Sequence, residues 1–125
     1  DPIDGTRSFI TGMPLFGTLI ALVRGGDPIL GVVDFPALRE RWVGRAGEAT
    51  QVNGQPARTS DCREIAQARC YCTSPDMFEG DDLQRFEALS RKAAMRRFGG
   101  DCYGYALLAS GHCDLVVEAG LKPYD

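Results

Sequence analysis

Apolar and polar positions along the chain change their rhythm about half-way. Phe16 to Val23 is an apolar, β-favouring run, Gly25-Gly26-Asp27-Pro28 interrupts it, and Ile29 to Phe35 resumes it. Two such runs around a glycine-rich break predict an antiparallel hairpin. Pro36 closes the second run, and Arg41-Trp42-Val43 predicts a third short strand. Asn53-Gly54 is the dipeptide of a type I′ turn, so it should join short strands near residues 50–52 and 56–59. Ahead of the hairpin, Thr6 and Ser8 are candidate caps for one helical turn that Gly12 and Pro14 stop.

Beyond residue 59 strands and helices alternate. Ala68 to Thr73 predicts a strand. Ser74-Pro75 predicts the cap and first position of a longer helix, with Asp81 and Asp82 early, Arg91 and Lys92 late, and Leu83, Phe86, Leu89 and Ala93 on one face. Met95 to Phe98 predicts a strand, Gly99-Gly100 a break, Tyr103 to Ser110 a helix closed by Gly111, and Asp114 to Glu118 another strand. This alternation suits an α/β layer, after a hairpin-connected first part. The expected division is 1–59 and 60–125, with a boundary near residues 59 to 64.

Composition narrows the partners. Hydrophobic residues make up 44% and charged residues 25%, which excludes disorder, and no apolar run approaches a bilayer span. A net charge of -3 argues against nonspecific nucleic-acid binding. Five cysteines, an odd number with no signal-peptide pattern at the start, predict reduced thiols in a cytoplasm. The chain begins and ends on an Asp within a stretch that carries candidate chemistry, so it is expected to be a fragment of a longer one.

That chemistry starts at Asp1-Pro2-Ile3-Asp4-Gly5-Thr6. Pro2 fixes its φ and Gly5 is free to turn, so both carboxylates can share a side with the amides after Asp4. Hard oxygens beside free N–H groups suit a divalent cation bridging to a phosphate. Taken by itself, the hexamer reads more readily as a solvated Asp-Gly turn.

The hexamer, with Phe9 three residues after Thr6, resembles the first signature of the inositol monophosphatase family of metal-dependent phosphatases. Glu118-Ala119-Gly120-Leu121-Lys122-Pro123-Tyr124-Asp125 resembles the second, in which Tyr124 replaces the usual Trp. Asn53-Gly54-x-Pro56 and the glycine-rich entry to the helix after Gly99 fall in the family's order and spacing, so the resemblance spans the chain. It implies a layered αβαβα sandwich of which this chain is the central part, carrying the second half of an antiparallel-sheet domain and the first part of an α/β domain. It implies magnesium ligands at Asp1, Asp4, Asp125 and the Ile3 backbone carbonyl, with two or three Mg²⁺ ions in a complete enzyme. Gly5 and Thr6 amides would hold phosphate, and the catalytic pair would be Asp4 and the Thr6 hydroxyl, which helps orient the attacking water. Homodimerisation and lithium inhibition are family expectations. A Gly-Glu-Glu-like acidic motif that the family carries before the first signature lies outside this sequence, so the 125-residue chain alone is expected to be nearly inactive.

Within the family, Asp34-Phe35-Pro36, Leu38 to Gly44, Ser74 to Phe78, Gly99 to Tyr103 and Leu121 to Asp125 resemble the histidinol-phosphatase branch of histidine biosynthesis more than the inositol branch. The implied substrate is a small phosphomonoester. Asp101 would pair with the ammonium of histidinol phosphate, or else cap the following helix. Glu118 would contact the alcohol part, or else be an exposed strand-end charge. Other conspicuous residues read as structural: Cys70 and Cys72 on one strand face, His112 behind a helix end, Trp42 in packing, and Arg96-Arg97 on a solvated face.

Overall fold

A computed structural model describes all residues, 1–125. The first part is a short helix α1 (Thr6–Thr11) followed by strands β1 (Thr18–Arg24), β2 (Asp27–Phe35), β3 (Glu40–Arg45), β4 (Gln51–Val52) and β5 (Gln55–Pro56). All neighbours are antiparallel and the sheet order follows the chain, β1-β2-β3-β4-β5. The predicted hairpin is thus present, and Asn53 and Gly54 both take the positive φ that a type I′ turn needs. In β1, Ile20, Leu22 and Val23 are exposed.

The second part alternates β6 (Arg69–Cys72), α2 (Gly80–Ser90), β7 (Met95–Phe98), α3 (Tyr103–Ala109) and β8 (Leu115–Val116). Here the strands are parallel and β6 lies between β7 and β8. Short crossovers carrying helices bring parallel strands side by side, as the alternation predicted. Cys70 and Cys72 share one buried face of β6.

One core joins the first sheet to α3. Phe35 and Trp42 come from β2 and β3, and Cys102 and Ala106 from the α3 region. Phe35 meets Trp42 edge-on at 5.6 Å and Tyr103 at 4.9 Å, and Tyr103 donates its hydroxyl to Glu40 at 2.9 Å. Burying Phe35 alone contributes about 2 kcal/mol, so α3 is held firmly against the first sheet. A second cluster stacks Phe78 on Phe86 at 4.4 Å beside Cys72.

Between the sheets, Asp114 is locked. Its carboxylate accepts from Arg69 Nε at 2.9 Å, Arg69 Nη2 at 3.0 Å and the Arg69 amide at 2.7 Å, and also from the Ser60 hydroxyl. Those bonds tie the segment after β5 to the starts of β6 and β8.

Several local expectations yield to longer-range contacts. Ser74 does cap, but only a single 3₁₀ turn over Pro75–Met77, accepting from the Asp76 amide at 3.2 Å. The α-helix starts afresh at Gly80 and stops before Ala93. Leu83 and Leu89 are exposed, so Phe86 is the apolar side chain that α2 buries. Neither Thr6 nor Ser8 caps α1, whose N-cap is Gly5 at φ 76 with no side-chain bond.

Candidate active site

Asp1 and Asp4 are placed by the edge of β1. The Asp4 amide donates to the Gly17 carbonyl at 2.8 Å, Gly17 returns a bond to Asp4 at 3.1 Å, and the Leu19 amide donates to the Asp1 carbonyl at 2.8 Å. Gly17 has to be small: a Cβ there would lie 2.9 Å from the Phe35 ring. Between these anchors the turn closes, with the Ile3 amide donating to Asp1 Oδ1 at 3.0 Å. Ile3 itself stays exposed.

Asp125 arrives from the opposite end of the chain. Its Oδ2 accepts from the Lys122 amide at 2.6 Å, and its amide donates to the Lys122 carbonyl at 2.9 Å. Asp1, Asp4 and Asp125 each offer one oxygen within 4.8 Å of the others. None of the three is paired with Lys or Arg. Like charges this close repel strongly unless neutralised. Three hard carboxylates not paired with any Lys or Arg fit a divalent cation held by oxygen ligands.

Next to Asp4, Gly5 and Thr6 have amides with no hydrogen-bond acceptor in the chain. That leaves two donors beside the acidic cluster, as an oxyanion needs. Gly5 adopts φ 76, and a Cβ there would meet Asp101 Cβ and Phe16 Cα at 3.2 Å each. Only glycine turns the chain so tightly in that space.

A cavity of about 340 Å³ opens beside the cluster, lined among others by Asp4, Asp125, Asp101, Glu118, Tyr105, Thr73 and Leu121. The structure therefore brings together Asp4, Asp125, Asp101 and Glu118, separated by up to the whole chain in sequence. Glu118 lies just past β8 and is not a free surface charge. Its Oε1 accepts from the Thr73 amide at 3.0 Å and the Thr73 hydroxyl at 2.5 Å, and its Oε2 from the Tyr105 hydroxyl at 3.3 Å. Asp101 makes no cap for α3, whose N-cap is Cys102; its carboxylate accepts instead from the Ser8 hydroxyl.

Burial, then the charge of Glu118, raises the Tyr105 phenol above its ordinary value. Burial, then Asp4, likewise raises the Cys102 thiol. Both stay protonated at neutral pH and act as donors in the site. Thr73, Tyr105, Cys102 and Ser8 were not singled out from the sequence as site residues. Tyr105 was within reach, because it lies in the first turn of the helix that the Gly99-Gly100-Asp101 stretch introduces.

The family model for the inositol monophosphatase family matches residues 1–125. The chain belongs to the inositol monophosphatase family. It is 53% identical over its full length to the bifunctional phosphatase IMPL2, chloroplastic, of Arabidopsis thaliana, covering 36% of that protein. It is 38% identical to the histidinol-phosphatase of Chlorobaculum parvum, covering 49% of it. Among solved structures, an inositol monophosphatase from Zymomonas mobilis superposes with a TM-score of 0.97 at 50% identity, over 100% of this chain and 49% of that one. The chain thus spans half or less of each of these relatives. The mixed helix-and-sheet architecture is that of this phosphatase family. No helix is long and apolar enough to cross a membrane.

Proposed function

We propose that the protein is a magnesium-dependent phosphomonoesterase whose substrate is histidinol phosphate, acting in histidine biosynthesis in the cytoplasm as a homodimer. The observation that carries the reading is the meeting of Asp1, Asp4 and Asp125 from opposite ends of the chain, at the mouth of a cavity walled by Glu118 and Asp101.

In this reading Asp1, Asp4, Asp125 and the Ile3 carbonyl hold the metal. When bound, the metal supplies Lewis acidity and a nucleophile at neutral pH. The Gly5 and Thr6 amides bind the phosphate oxygens and aim the phosphorus, while Asp4 and the Thr6 hydroxyl orient the attacking water by hydrogen bonding. Glu118, fixed by Thr73 and Tyr105, faces the alcohol part of the substrate. The carboxylates that complete the site come from the rest of the full-length protein, so the 125-residue chain alone hydrolyses phosphomonoesters far more slowly.

The choice of substrate rests on charge. The residues lining the cavity include Asp4, Asp101, Glu118 and Asp125 and no Lys, Arg or His. With the first and last of these serving the metal, Glu118 and Asp101 remain to face a cation. An ammonium group gains a charge-assisted hydrogen bond there that a neutral polyol does not. The likeness to an inositol monophosphatase keeps inositol 1-phosphate as the second reading. Phosphate release by the full-length enzyme from the two substrates decides between them. The expected result is a kcat/KM about 100-fold higher for histidinol phosphate, and a preference for inositol 1-phosphate overturns the choice.

A further inference from the structure

Asp101 holds an unusual conformation. Its φ is +44, in the left-handed region that few non-glycine residues enter. Asn53 shares that feature, but a hairpin turn requires it there. At Asp101 no hairpin exists, and its side chain does not cap the helix that follows. Such a backbone persists where its surroundings hold it, and these positions gather at functional sites.

What holds Asp101 is the catalytic turn. The Ser8 hydroxyl, on a side chain that is only 6% exposed, donates to Asp101 Oδ2 across 93 residues of sequence. Asp101 Cβ also rests against Gly5, at a distance of 3.2 Å from where a Cβ on that glycine would stand. The next residue, Cys102, is buried and directs its thiol to the Leu15 carbonyl at 3.8 Å. Residues 101 and 102 therefore pack against Gly5, Ser8 and Leu15, beside the segment that carries Asp4, Gly5 and Thr6. α1 has six residues and no side-chain cap, so little within the segment itself fixes its direction.

We propose that Ser8 and Asp101 form a positioning pair, a latch that sets the phosphate-binding turn against the loop bearing the substrate-side wall. Ser8 touches neither metal nor substrate; it acts through Asp101 and the turn. With the latch made, the Gly5 and Thr6 amides and the Glu118 wall keep a single mutual arrangement. Without it the substrate still binds, but the phosphorus is no longer held in line with the attacking water. Small misplacements of reacting groups cost rate rather than affinity. The proposal rests on the phosphomonoesterase reading above.

The test uses the full-length enzyme with histidinol phosphate and with p-nitrophenyl phosphate, which carries no ammonium. Ser8→Ala is expected to lower kcat about tenfold on both substrates, with KM within about twofold. Ser8→Thr keeps a hydroxyl for Asp101 at a position that touches neither metal nor substrate, so its kcat is expected to stay within about twofold of wild type. On p-nitrophenyl phosphate, where the Asp101 charge meets no ammonium, the Ser8→Ala/Asp101→Gly double variant is expected to lose no more kcat than the worse of the two singles, because both remove one interaction. Unchanged kcat in Ser8→Ala overturns the latch, as does an additive double variant. Hydrogen exchange read by mass spectrometry gives an answer independent of activity. Ser8→Ala should speed exchange in residues 4–9 and 99–104 together, and unaltered exchange in both overturns the proposal. A wild-type enzyme that hydrolyses neither ester sinks the phosphomonoesterase reading, and the exchange result then decides the latch by itself.

Discussion

Two acidic regions of this molecule are built on opposite plans. Asp114 is almost fully buried, and every oxygen it has is matched, by the Arg69 guanidinium, the Arg69 amide and the Ser60 hydroxyl. Asp1, Asp4 and Asp125 stand together with no basic side chain beside them. The first arrangement completes its electrostatics within the chain; the second leaves them incomplete. A charge that serves only the fold is neutralised by the fold. A charge left over in company points outward, to something that has yet to bind.

That contrast can be broken from either side. The largest effect belongs to the unmatched cluster. In the full-length enzyme Asp125→Asn is expected to lower kcat by about 10³-fold, a loss of transition-state charge stabilisation, while thermal melting without metal stays level or rises because repulsion is relieved. Phosphate release and calorimetry on one preparation check both halves. Lost activity together with collapsed stability would make the cluster structural after all.

Asp114→Asn should do the reverse. It leaves Arg69 without its partner and is expected to lower the melting temperature of the full-length protein by about 5 °C, with kcat per folded molecule unchanged. The bonds from Arg69 and then Ser60 hold the Asp114 carboxyl well below the usual carboxylate range. The folded state thus keeps the charge at a lower pH than the unfolded chain does. Its stabilisation is complete above the ordinary Asp value of about 4 and is lost as pH falls below that toward the depressed folded value. The gap in melting temperature between wild type and Asp114→Asn should be constant above about pH 5 and narrow below about pH 4. A gap that stays flat through that acid range would remove Asp114 as the cause.

Glu118 falls between the two plans, because Thr73 and Tyr105 bind it but no cation does. Glu118→Gln keeps the shape and drops the charge. KM for histidinol phosphate is expected to rise about tenfold, with that for p-nitrophenyl phosphate within twofold. Equal shifts on both substrates would mean that Glu118 shapes the wall without reading charge.

Much of this was legible along the chain. Alternating runs around Gly25-Gly26 and the Asn53-Gly54 pair carry their own geometry, so the first sheet could be read in order. The two carboxylate stretches were legible as motifs. Their convergence was not a local property, since no pattern within residues 1–6 says that residue 125 returns to them. Ser8 shows the same limit at the scale of one side chain. Its position near a helix start suggested a cap, yet its hydroxyl serves Asp101, which only tertiary packing brings near. Ser74 failed differently: it does cap, but a 3₁₀ turn intervenes before Gly80 restarts the helix. On α2, apolar spacing marked a face whose outer members, Leu83 and Leu89, remain partly exposed beside the buried Phe86.

Gly17 ties two histories together. One neighbour is Asp4, whose backbone it pairs with; the other is Phe35, whose ring fills the space where a methyl would go. A heritable change as slight as one carbon at this position must displace either the aromatic joint or the carboxylate. Any change in the packing between the first sheet and α3 is therefore felt at the acidic cluster, and the interior can vary here only as far as Asp4 stays where it is.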